Sequence, residues 1–289
     1  MSQAEALAGT GFAFAPARPG ALGRLVGSEI GMVFRRRRNL ALLAVLAATP
    51  AAIGAAVRVS TPRGRGGPQF LDQVTGNGVF LVFTALTITV PLLLPLLIGV
   101  VAGDSIAGEA GSGTLRYLLT VPVGRARLLL AKAVAVLTYT AAAVAAVTVV
   151  GLGAGAALFG LHPVTLLSGD TVPLSLGLLR TVEVAAYVVV TLTGFLAVGL
   201  FISTLTEVPI AAMAATVGVA VVSAVLDQIP QLGSMRNVLF THNWLGFGEI
   251  LRATVDWHTL IGWLGVQACY VALFGSAAWA KLGDADITA

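Results

Sequence analysis

Six long apolar stretches are the feature that most restricts how this chain can fold. A helix needs about 20 mostly apolar residues to cross the hydrocarbon core of a bilayer. Only 10% of the 289 residues are charged and 57% are hydrophobic, whereas soluble domains carry about 25% charged residues. We therefore predict an all-α integral membrane protein, a bundle of six transmembrane helices. The predicted spans are residues 40–57, 79–101, 133–159, 180–204, 208–226 and 259–280.

The segments that flank the spans are polar or amphipathic. Residues 1–20 lack periodicity and predict a mobile cytoplasmic tail, and residues 282–289 predict a second, short one. In residues 21–38, apolar side chains recur at helical spacing, which predicts an amphipathic helix lying in the membrane interface. Pro91 and Pro95 predict a kink in the second span. Four consecutive arginines are expected at the membrane interface, facing lipid headgroups: Arg35, Arg36, Arg37 and Arg38.

The distribution of arginine and lysine predicts the orientation of the bundle, because cytoplasmic loops carry an excess of these residues. With the N-terminus in the cytoplasm, the inner side holds eleven of the 17 and the outer side holds six. Both termini are then cytoplasmic, since the number of spans is even. The outer six are Arg58, Arg63, Arg65, Arg180, Arg236 and Arg252.

The loop between the second and third spans, cytoplasmic in this orientation, carries an ordered motif. It reads GDSIAGEAGSGTLRYLLTVPVGRARLLLAK over residues 103–132. The order resembles the permeases of ABC-2 type exporters, which carry a glutamate, Gly-Thr-Leu, a leucine pair, Pro-Val, an arginine and a lysine that opens the next span. The matching residues are Glu109, Gly113, Thr114, Leu115, Leu118, Leu119, Pro122, Val123, Arg125 and Lys132.

The resemblance implies the transmembrane permease subunit of an ATP-driven exporter in the plasma membrane of a prokaryote. The implied partners are a second permease copy, a cytoplasmic ATPase subunit that binds ATP and Mg, and membrane lipid, but not nucleic acid. Motion of the ATPase would reach the spans through a cytoplasmic coupling helix in the loop. Eight of the matching residues take the ATPase-coupling role in this resemblance: Glu109, Gly113, Thr114, Leu115, Leu118, Pro122, Arg125 and Lys132. The implied cargo is an amphiphile, a drug, a lipid or a glycan.

The local chemistry of the loop agrees with this role. Residues 109–119 can form a short helix across the membrane face, and Pro122 would end it. An ordinary amphipathic loop helix, whose arginines only fix topology, is the alternative. Gly108 and Gly113 have the spacing of a phosphate-binding loop, but Thr114 stands where that loop needs a lysine. We therefore predict that this chain is not itself an ATPase and holds no catalytic, cofactor or metal site.

Three other classes of protein compete with the exporter hypothesis. A secondary transporter predicts intramembrane carboxylates and broken helices in matched halves, and Glu183, three residues after Arg180, is interpreted instead as an interfacial ion pair. A membrane-embedded enzyme needs clustered histidines or acids, whereas the three histidines are scattered. A non-transporting scaffold or sensor subunit of the same fold stays open.

Overall fold

The structure is a computed structural model. The predicted tail at residues 1–20 and the last five residues of the predicted C-terminal tail lie outside the part of the chain that it describes. The described residues are 21–60, 76–113, 125–166 and 168–284.

The described residues are mostly helical, as the apolar stretches predict. A β-hairpin of two short antiparallel strands and two 3-10 segments connect the helices at one end of the bundle. The hairpin pairs β1 (Val164–Thr165) with β2 (Thr171–Val172), and the 3-10 segments are Pro230–Val238 and Gly246–Leu251. The helices are α1 Ala21–Arg35, α2 Arg37–Ser60, α3 Val79–Thr89, α4 Leu93–Gly111, α5 Arg125–Phe159, α6 Leu174–Thr191, α7 Thr193–Ser203, α8 Pro209–Asp227 and α9 Trp257–Asp284.

Six helical segments of the described chain are long and apolar enough to cross a membrane. They are α2, α4, α5, the pair α6 and α7, α8, and α9, and α3 is a shorter apolar helix that precedes α4. The predicted all-α membrane bundle with six spans is confirmed. Helix α3 ends at Thr89 and α4 begins at Leu93, so the second span is interrupted beside Pro91.

The helices that contain the second and third predicted spans extend beyond the predicted bounds. Helix α4 continues past residue 101 to Gly111, and α5 begins at Arg125 and not near residue 133. Glu109 therefore belongs to the last turn of α4 and does not begin a separate coupling helix. Three charged side chains of these extensions, Asp104, Glu109 and Lys132, have ion-pair partners inside the bundle.

The long helix α5 organises the packing. It contacts α1, α2 and α3, while α4 packs against α8 and α7, and α7 packs against α9. Where the start of α3 meets α5, two backbones touch: a Cβ atom on either Gly78 or Gly155 would collide with the carbonyl group of the other residue. The N–H of Gly78 also donates to the carbonyl oxygen of Gly160 at 2.9 Å. Glycine is the residue that permits such an approach.

One end of the bundle, here called the basic end, gathers the α1–α2 junction, the end of α4, the start of α5 and the end of α9. Side chains at the α1–α2 junction contact Asp104, and Arg125 donates to the carbonyl oxygens of Leu282 and Gly283. The backbone of Glu207, between α7 and α8, lies against Gly111. This is the end predicted to be cytoplasmic.

The opposite end holds the hairpin and the 3-10 segments. The expected ion pair on α6 is confirmed, since Arg180 contacts Glu183 at 3.0 Å. At the end of α8, Asp227 accepts from His242 at 2.5 Å and contacts Arg236 at 3.4 Å.

Candidate functional site

Six charged side chains meet at the basic end, and we call them the charge cluster. They come from α1, the α1–α2 junction, α2, α4 and α5, so they connect elements far apart in sequence. Three are cationic and three are anionic, and the formal charges therefore cancel. The members are Glu29, Arg36, Arg38, Asp104, Glu109 and Lys132.

Lys132 is the buried centre of one half of the cluster. Its ammonium nitrogen lies 2.6 Å from Oε1 of Glu109 and 3.2 Å from Oε2 of Glu29. The lysine side chain is 2% exposed and each glutamate side chain is 7% exposed. A buried ion costs several kcal/mol in lost hydration, so it is stable only with close partners of opposite charge. One lysine thus joins the ends of α1, α4 and α5.

Asp104 is the centre of the other half. One oxygen of its carboxylate accepts from both Arg36 and Arg38, the latter at 2.7 Å. The aspartate side chain is 9% exposed, whereas the two arginines are 39% and 43% exposed. Planar guanidinium groups suit a shared carboxylate because each presents several donors in one plane. This half fixes the α1–α2 junction to α4.

The α1–α2 junction is further held by α5. Residue Arg36 separates the two helices, and the Asn39 amide donates to the carbonyl oxygen of Val33 across the break at 2.9 Å. The buried Tyr139 hydroxyl donates to the carbonyl oxygen of Asn39 at 2.6 Å, and its ring meets Phe34 edge-on at 5.4 Å. Helix α1 is therefore attached to the spans by both polar and aromatic contacts.

The structure places four of the predicted coupling residues, and the other four, Thr114, Leu115, Leu118 and Pro122, lie outside the described residues. Glu109 and Lys132 form an ion pair with each other. Gly113 follows the end of α4 with a φ of 71°, the left-handed conformation that commonly terminates a helix. Arg125 opens α5 and caps the last carbonyl groups of α9.

Sequence reasoning missed the role of Glu29, Asp104, Arg36 and Arg38 in this cluster. Arg36 and Arg38 contact Asp104 while their side chains stay 39% and 43% exposed, and Arg35 and Arg37 are exposed. A signal existed for Glu29, since it lies at helical spacing from Leu22, Val26 and Val33 and so faces the apolar side of α1.

The six candidate spans define a multi-pass membrane protein, and the charge cluster attaches α1 to both α4 and α5. Comparison with known families makes the class specific. Residues 24–282 match the family described as "ABC-2 family transporter protein". Because the match covers most of the chain, the chain belongs to the ABC-2 transporter family and is a transmembrane permease of that family.

A curated relative is similar over a short segment. It is the "Probable ABC transporter permease protein NosY" of Pseudomonas aeruginosa, which is 43% identical over 60 residues. The matched segment spans 21% of this chain and 22% of that protein. This similarity agrees with the permease class. It covers only the matched 60 residues.

Proposed function

We propose that this chain is the membrane-spanning subunit of an ATP-driven exporter, in which a cytoplasmic ATPase subunit moves the basic end of the bundle. The observation that carries the proposal is the pairing of Lys132 with both Glu109 and Glu29. Glu109 lies in the last turn of α4 and Lys132 lies near the start of α5, so the pair joins the two helices on either side of residues 112–124. Residues 112–124 contain most of the family motif.

The geometry gives a physical route for motion from partner to spans. A displacement of residues 112–124 acts on α4 and α5 together, because the buried ion pair resists their separation. Glu29 adds α1, the helix that precedes the first span, to the same unit. Helix α4 contacts α8 and α7, so a shift of this unit reaches the rest of the bundle through packed side chains.

The remaining parts of the proposal follow from the family. ATP and Mg²⁺ bind the partner ATPase, a second permease copy completes the complex, and the cargo is an amphiphile, drug, lipid or glycan. The complex resides in the cytoplasmic membrane of a prokaryote with the basic end inside. A non-transporting scaffold of the same fold would bind the ATPase but show no ATP-dependent change in its spans.

The orientation can be tested with single cysteines in a Cys269→Ser background. Ser112→Cys lies at the exposed end of α4, and Ser168→Cys lies at the exposed hairpin of the opposite end. With a membrane-impermeant maleimide, we expect position 168 to label in intact cells and position 112 to label only after permeabilisation. Labelling of position 112 from outside would contradict the orientation.

The coupling role can be tested with a neutral variant. Glu109→Gln and Lys132→Met, combined with Glu29→Gln and here called the Glu109/Lys132 variant, remove the buried ions without leaving an unpaired charge. Arg180→Gln combined with Glu183→Gln removes the ion pair at the opposite end. We expect both variants to copurify with the ATPase. The readout is the ATP-dependent change in labelling of a cysteine at Val222 on the exposed face of α8. That change should fall at least fivefold in the Glu109/Lys132 variant only.

Two results would refute the proposal. One is a chain that does not copurify with a Walker-type ATPase encoded by the same organism. The other is an ATP-dependent labelling change that persists at its full size in the Glu109/Lys132 variant.

A further inference from the structure

A groove opens on the flank of the bundle between α5, α7 and α9, and we call it the lateral groove. Its volume is about 230 Å³. The side chains that line it are almost all apolar, and Leu130 and Val271 on its walls are 51% and 41% exposed. Representative lining residues are Leu130, Val134, Leu137, Ala197, Val271 and Gly275.

Small residues create the space. Gly275 and Ala278 on α9 face Ala133 on α5 and Ala197 on α7, where larger side chains would close the gap. A Cβ atom on Gly275 would meet no other atom within 4 Å. The groove lies between three spanning helices, so the acyl chains of the surrounding lipid are the apolar groups that can fill it. An unfilled gap would forfeit the dispersion contacts of its walls.

The end of the groove that faces the basic end is cationic. Arg125 donates to the carbonyl oxygens of Leu282 and Gly283, which brings the start of α5 beside the end of α9. Two further cations are exposed there: Arg127, one turn before Leu130, and Lys281, one turn after Ala278. Apolar walls thus lead to a rim that carries positive charge.

We propose that the lateral groove binds one anionic phospholipid of the surrounding bilayer, with an acyl chain between α5, α7 and α9 and the phosphate at Arg127 and Lys281. Basic sites between transmembrane helices at the cytoplasmic surface are suited to anionic headgroups. The position of the rim one turn beyond the apolar walls matches the position of a headgroup relative to its chain. The proposal uses the groove and its charges and is independent of ATP-driven export.

The test compares two lipids by native mass spectrometry of the purified full-length chain. Dioleoyl phosphatidylglycerol and dioleoyl phosphatidylcholine have the same chains and differ in headgroup charge. We expect one tightly held phosphatidylglycerol per chain, with at least fivefold higher affinity than phosphatidylcholine. Gly275→Leu fills the groove and should weaken phosphatidylglycerol binding at least fivefold. Gly265→Leu, at an exposed position of α9 outside the groove, should not.

A second variant tests the contribution of the positive charges without changing the volume of the groove. Arg127→Gln with Lys281→Gln alters only exposed side chains, and it should reduce phosphatidylglycerol affinity to that of phosphatidylcholine. Arg35→Gln, an exposed change elsewhere at the same end, is the control. Equal binding of the two lipids by the unmodified chain would overturn the proposal. Unchanged phosphatidylglycerol binding in Gly275→Leu would also overturn it. A Gly275→Leu chain that changes its oligomeric state but keeps its lipid would show that the groove is a contact between copies.

Discussion

Replacing Lys132 by methionine is expected to lower the free energy of unfolding by about 3–5 kcal/mol, because the substitution leaves two buried carboxylates without their shared cation. Glu29 and Glu109 are 5% and 6% exposed as residues, so water cannot readily replace the lysine. The measurement is thermal unfolding of the purified protein in detergent, where the apparent melting temperature should fall by on the order of 10 °C.

Two further variants show whether the effect arises from unpaired charge. Arg37→Met removes an exposed cation at the same end and should change stability by less than about 0.5 kcal/mol. Lys132→Met combined with Glu29→Gln and Glu109→Gln should recover much of the loss, because replacing a whole buried ion group by neutral side chains is often close to neutral. If the triple variant is less stable than Lys132→Met, unpaired charge is not the cause.

Gly155→Ala is expected to destabilise the protein by about 2–3 kcal/mol, through collision of the new methyl group with the carbonyl group of Gly78. The sign of the effect is informative, since alanine in place of a helical glycine normally stabilises by about 0.5–1 kcal/mol. Gly153, two residues earlier on α5, is exposed, and a Cβ atom there would meet nothing within 4 Å. Gly153→Ala should therefore leave stability unchanged or raise it.

The same melting experiment compares the two alanine variants directly. A Gly155→Ala protein at least as stable as Gly153→Ala would show that the α3–α5 backbone contact is absent or can yield without cost.

Hydropathy was sufficient to predict the architecture, because a spanning α-helix satisfies its own backbone hydrogen bonds and is seen in the sequence as a long apolar stretch. The ends of the helices that contain the second and third spans were harder to predict, because a hydropathy average treats every charged residue as exposed to solvent. Asp104, Glu109 and Lys132 made residues 103–132 appear to be a loop, yet each is 6% or less exposed. Glu109 and Lys132 pair with each other, Lys132 also pairs with Glu29 of α1, and Asp104 pairs with Arg36 and Arg38 at the α1–α2 junction. These are tertiary contacts that no local window of sequence contains.

Part of the candidate site could be predicted from the sequence. The motif singled out Glu109 and Lys132, but their separation of 23 residues carries no helical periodicity, so the pairing could not be predicted. Gly113 and Arg125 were likewise singled out for coupling, and the structure gives them local contacts at the ends of α4 and α9. The role of Asp104 could not be predicted, because a single acidic residue at the end of a proline-containing apolar stretch forms no recognisable pattern.

The pairing of Arg36 and Arg38 with Asp104 has a consequence for biogenesis. The arginines precede the aspartate by 68 and 66 residues, and at about 5–20 residues per second the ribosome needs several seconds to reach it. During that interval both guanidinium groups lack this carboxylate, so in the proposed orientation their full positive charge is available to keep the start of the first span in the cytoplasm. After α4 is inserted, Asp104 neutralises part of that charge. In the proposed orientation the same two arginines therefore act first as topological signals and afterwards as structural contacts.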